Sequence, residues 1–104
     1  MALVTATMSD QGVLLLEGDL VFANVTAVLR DIEKQLPGKE ALVIDLAQVG
    51  DVDSSGLALL LEVLERGRRL GISLKFRGLS DALLGIARLS NVEGLLPVDG
   101  PGSA

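Results

Sequence analysis

Neither a cysteine nor a histidine occurs in this chain. Their absence removes disulfides, thiol nucleophiles, imidazole bases and the usual zinc and haem ligands. It also fits a reducing cytoplasm. Aromatic side chains are nearly missing: there are two Phe, no Trp and no Tyr. The core must therefore be built from Leu, Val, Ile and Ala, and at 49% hydrophobic content the supply is ample. Basic residues are outnumbered, nine against fourteen acids, which leaves a net charge of −5. Such a surface repels a phosphate backbone, so nucleic-acid binding is not expected. Long apolar runs are absent as well. The longest, Leu57 to Leu61, falls far short of the ~20 residues a membrane span needs. No basic segment followed by an apolar stretch opens the chain, so no signal peptide is expected. Any connection to a membrane is expected to run through a partner.

Catalytic signatures are missing too. There is no G-x-x-x-x-G-K-[ST], and no G-x-G-x-x-G follows a strand. A serine nucleophile needs a base, which here would have to be a lysine. Lys75 lies in a predicted strand and has no reason to face a serine-bearing turn. Asp45, Asp51 and Asp53 offer oxygen ligands for Mg²⁺, but helix capping and turn formation use the same residues. No enzyme activity, cofactor or metal is expected.

What is present is a regular alternation of elements. Leu3 to Met8 reads as an edge strand, Ser9-Asp10-Gln11-Gly12 as a turn, and Val13 to Gly18 as the second arm of a hairpin. Asp19 and Asn24 are turn or cap candidates. Phe22, Val25, Val28, Leu29, Ile32 and Leu36 recur at helical spacing, and Pro37-Gly38 ends that helix. Ala41 to Leu46 reads as a third strand. Its nearly unbroken apolar run predicts cover on both faces. A second helix runs from Leu57 to Leu70, with Leu57, Leu60, Leu61 and Leu64 as its core stripe. Leu59, Val63 and Leu70 form a second stripe beside it, which reads either as packing against a neighbouring helix or as a partner surface. Ile72 to Phe76 is a fourth strand. Ser80 caps a short helix with Leu83, Ile86 and Ala87 inward, and Val92 to Val98 holds a brief last strand. The order predicts an α/β fold: a mixed β-sheet with an N-terminal hairpin and helices packed on it. A single domain over residues 1–104 is expected, with 99–104 a flexible tail.

The segment Val52-Asp53-Ser54-Ser55-Gly56-Leu57 joins the third strand to the second helix. The first N–H groups of a helix lack internal partners, and an Asp or Ser side chain can accept from them. A helix N-terminus is also a natural seat for a phosphate. The segment thus reads either as a cap or as a partner-facing loop able to accept a phosphoryl group.

An apolar strand followed by Asp-Ser-Ser-Gly-Leu, over residues 41–57, resembles the signature of STAS domains, the family of sulfate transporters and anti-sigma-factor antagonists. The element order fits that family over nearly the whole chain. The family's Ser/Thr position falls on Ser54, with Asp53 before it and Gly56 closing the turn. Leu79-Ser80-Asp81, Ala87 to Val92 and Leu95-Leu96-Pro97 resemble the small STAS subunits of Mla phospholipid transporters (maintenance of lipid asymmetry).

This resemblance implies a non-enzymatic cytoplasmic subunit, peripheral at the inner membrane, that supports an ABC ATPase. ATP would be held by that partner. The expected partner-binding residues are Asp53, Ser54, Ser55, Gly56, Leu57, Leu59 and Val63, with Ser54 and Ser55 as candidate phosphoacceptors. The alternative within the family is an antagonist whose unmodified turn binds an anti-sigma factor kinase and is released by phosphorylation.

Overall fold

Alternating burial along the strands organises the molecule. In the computed structural model, residues 4–99 are described. The expected strand start at Leu3 and the tail residues 100–104 lie outside them. The elements are β1 (Thr5–Met8), β2 (Val13–Leu20), α1 (Val25–Gln35), β3 (Ala41–Val52), α2 (Ser54–Arg69), β4 (Ser73–Arg77) and α3 (Asp81–Leu89). A short 3-10 turn, Glu93–Leu95, follows. The sheet has four strands in the order β1-β2-β3-β4. β1 and β2 form the expected antiparallel hairpin, while β2–β3 and β3–β4 are parallel. This is the mixed α/β sheet that the element order predicts.

Leu14 and Leu16 of β2, Leu42, Ile44 and Leu46 of β3, and Leu74 and Phe76 of β4 are buried in one cluster with residues of all three helices. Their neighbours along the strands, including Val13, Leu15, Val43 and Asp45, are only half-buried, and Lys75 is exposed. The helices therefore cover one face of the sheet, and the expected double cover of β3 is corrected. Period-2 alternation is what a sheet with one dry face requires. The apolar run in β3 hid it because Val43 on the open face is also apolar.

The inward face of α2 differs from the predicted stripe. Gly56, Leu57, Leu59, Leu60, Val63 and Gly67 are buried, whereas Leu61 and Leu64 are half-buried. Leu59 and Val63, expected beside the core, are part of it, with exposures of 4% and 0%. The reason lies in two glycines. A Cβ at Gly56 would stand 2.6 Å from the Leu20 carbonyl oxygen, and one at Gly67 would stand 3.3 Å from Leu74 Cδ1. The helix comes closest to the sheet along the line of these glycines, which carry no hydrophobic signal in the sequence. Leu70, expected in the second stripe, is 55% exposed.

The remaining corrections are local. β2 and β3 run further than predicted because their ends pair with each other, from Glu17↔Gln48 to Leu20↔Val52. Phe22 precedes α1 rather than joining its apolar face, and is 80% exposed. In place of a last strand there is one parallel bridge, Phe76↔Val98.

Candidate functional site

The exposed end of the sheet is built where β2 and β3 finish and α1 and α2 begin. Asp53 is the N-cap of α2, in extended backbone conformation. Its Oδ1 accepts from the Ser55 N–H at 2.8 Å and from the Gly56 N–H at 3.4 Å. Its Oδ2 reaches across to accept from the Phe22 N–H at 3.0 Å. The Asp53 N–H in turn donates to the Leu20 carbonyl at 3.3 Å. One carboxylate thus caps a helix and fastens the β2–α1 connection to it. Asp19 makes a second fastening, its Oδ1 accepting from the Asp51 N–H at 2.8 Å. Asn24, a turn or cap candidate, stands at the N-cap position of α1, and its side chain braces the preceding turn rather than the helix. Its Oδ1 accepts from the Val21 N–H, and its Nδ2 donates to the Asp19 carbonyl at 2.6 Å.

The N–H groups around Asp53, that of Phe22 first and then those of Ser55 and Gly56, hold its carboxyl below the usual aspartate range; partial desolvation opposes them. A carboxyl with a depressed folded-state pKa contributes stability at neutral pH. That stability is lost as pH falls below the unfolded value of about 3.9 and through the folded one. Asp53→Asn should therefore be less stable than the parent at pH 7, and the two should converge in strong acid. Urea titrations at a series of pH values measure this. A gap that stays constant with pH would mean that the ionised form of Asp53 has no special role.

The expected site residues separate by exposure. Ser54 is exposed, Asp53 and Ser55 are half-buried, and Gly56, Leu57, Leu59 and Val63 are buried. Gly56, Leu57, Leu59 and Val63 therefore do not project outward: they hold α2 on the sheet, and Leu59 reaches the surface only at the floor of a hollow. The turn itself presents Ser54, flanked by the edge of Ser55. Asp45 does not join Asp51 and Asp53 in a metal site. It accepts from the Ala47 N–H at 2.9 Å and lies 3.9 Å from Arg77. No three carboxylates gather to hold a metal among the described residues. Among the same residues no helix is long and apolar enough to cross a membrane.

Phe22 is the site residue that sequence reasoning misplaced. The available signal was Asn24, a cap-type residue after it, which sets Phe22 outside the helix and so outside its apolar period.

Comparison with known proteins adds to this geometry. The profile of a family described as "Mlab, STAS domain" matches residues 4–97. The intermembrane phospholipid transport system binding protein MlaB of Escherichia coli K12 is 38% identical over 56 residues, 54% of this chain and 54% of that protein. The match thus spans about half the length of that curated relative. Among solved structures, a candidate anti-sigma factor antagonist of Thermotoga maritima superposes with a TM-score of 0.76 at 16% identity, covering 96% of this chain and 88% of that one. The anti-sigma factor antagonist SpoIIAA in its unphosphorylated form gives 0.71 at 13% identity, covering 93% and 88%. At these identities the structural likeness establishes the fold alone.

Proposed function

Because this chain belongs to the MlaB-type STAS domain family, we propose that it is a non-catalytic accessory subunit of a phospholipid-transporting ABC complex. In this reading residues 1–104 act as one domain that binds the ATPase subunit on the cytoplasmic side. The protein meets the membrane only through that complex, and nucleotide is held by the ATPase. The observation that carries the reading is the likeness to a curated phospholipid-transport protein over 56 residues. Its proposed contact is the accessible part of the turn, Asp53 to Ser55, where the exposed Ser54 opens α2 beside an Asp53 that fastens both the helix start and the β2–α1 connection. An accessory subunit shifts its partner's equilibrium by binding one state better than another.

A second reading rests on the exposed Ser54 hydroxyl beside Asp53: a phosphorylation-switched antagonist of an anti-sigma factor. Affinity capture from the native cell separates the two. Recovery of an ABC ATPase supports the first, and recovery of a kinase-like anti-sigma factor supports the second.

Charge at position 54 should control association in either case. A phosphate adds about −1.5 to −2 charges. The helix N-terminus favours a nearby anion by only ~0.3–1 kcal/mol. A like charge about 4 Å away costs ~1–4 kcal/mol, and Asp51 and Asp53 flank the site. Ser54→Asp should stay folded by circular dichroism and bind the captured partner more weakly. Ser54→Ala and Ser54→Thr should be mild in both respects. Parent-like affinity of Ser54→Asp would reduce the turn to a helix cap.

A further inference from the structure

α1 and α2 lie side by side, and a hollow of about 340 Å³ opens between their N-terminal halves. Phe22, Val25, Leu29, Ala58 and Leu59 make it mainly apolar, and Glu62 stands at its lower end. Phe22 forms an exposed wall, while Leu59 lies beneath as a core residue. The backbone that carries this wall is held in place, since the Phe22 N–H is bonded to the same Asp53 that caps α2.

The charged side chain that lines the hollow is Glu62. Residues 18–29 and 46–62 contain no Lys or Arg, but include Asp19, Asp51, Asp53 and Glu62. Below the hollow, Arg66 bonds Glu33 at 2.7 Å. Its Nε lies 2.9 Å from Glu62, an ionic contact rather than an aligned hydrogen bond. Two carboxylates thus share one guanidinium, and a negative charge is left over. A fatty acid or anionic lipid headgroup would meet these carboxylates unfavourably. A cationic neighbour would be favoured, chiefly in encounter and orientation.

We propose that this hollow seats an apolar side chain of the partner protein, carried on a segment whose flanking arginine or lysine faces Glu62 and the aspartates at the sheet end. The proposal rests on the reading of the chain as an ATPase-binding subunit, and extends its contact from the Ser54 turn to the α1–α2 crevice. An exposed aromatic on an anchored backbone beside a small pocket is an arrangement that can concentrate interface energy in a few residues once a partner desolvates it. Phe22 and the pocket form the apolar centre, and the carboxylates form a polar rim that selects the sign of the partner.

Thr26 and Ala58 are exposed on the two sides of the hollow, so arginine there should leave the fold intact. The test is titration of the ABC ATPase subunit from the same cell with the parent, Thr26→Arg, Ala58→Arg and Ser54→Asp, each checked by thermal melting. Parent affinity should fall as salt is raised. Both arginine variants should bind at least tenfold more weakly at unchanged melting temperature. If Thr26→Arg and Ala58→Arg bind like the parent while Ser54→Asp does not, the hollow is not the docking site and the subunit reading stands. If the parent itself does not bind the ATPase, the reading and the proposal both fall. If Ala58→Arg instead abolishes self-association of the parent in light scattering, the occupant is a second copy and the proposal is overturned.

Discussion

Leu59→Ala should lower stability by about 2–5 kcal/mol, the range for a leucine truncated inside a core. Its side chain is only 4% exposed and packs with the helix and strand residues beneath α2. For a chain of this length each kcal/mol is worth roughly 4–8 °C, so the melting temperature should drop by about 8–40 °C. The amphipathic pattern alone sets Leu59 off the main stripe and leaves two outcomes open: lost stability if it packs on a neighbour, kept stability and lost binding if it is mainly interfacial. Leu70→Ala is the control. Leu70 sits at the end of the same helix at 55% exposure, and its truncation should stay within about 0.5 kcal/mol. Calorimetric melting of both variants checks the contrast. A Leu59→Ala protein that melts within a couple of degrees of the parent would return this residue to the surface.

Gly56→Ala should also destabilise, although alanine is the better helix former. The propensity gain is at most about 1 kcal/mol. Against it stands a methyl group 2.6 Å from the Leu20 carbonyl oxygen and 3.1 Å from Leu20 Cβ. Leu20 is fully buried, and that carbonyl accepts the Asp53 N–H, so neither can retreat freely. Overpacking of this kind costs about 1–3 kcal/mol, sometimes more, and should win. Gly85→Ala gives the reverse sign. Gly85 lies within α3, and a Cβ there meets nothing within 4 Å. That variant should gain roughly 0.5–1 kcal/mol. Denaturant midpoints of the two variants should therefore fall on opposite sides of the parent. If both rise, α2 does not approach β2 as closely as described.

Much of the architecture was legible in the chain because its signals are local. Pro37-Gly38 closes α1, Asp53 and Ser80 start α2 and α3 with side-chain acceptors, and a four-residue turn shapes the hairpin. What was illegible depends on partners distant in sequence. Residues 47–52 carry Gln48, Gly50 and Asp51, which no propensity would extend into a strand; the end of β2 makes them one by pairing. The inward face of α2 is not legible from its apolar period because its closest approach to the sheet is written in glycines. The site was half legible. Asp53 as a cap follows from its position, but its bond to the Phe22 N–H spans 31 residues and leaves no pattern in the sequence.

The fastened, outward-facing Phe22 has an optical consequence. A chain with no tryptophan and no tyrosine emits almost nothing when excited near 295 nm, about the wavelength chosen for indole. A tryptophan put in place of Phe22, a residue 80% exposed on the wall of the hollow, would therefore be its sole indole. Any surface that covers that wall would move the indole from water into an apolar setting. The accompanying blue shift would then report occupancy of this one place, in real time and without a label.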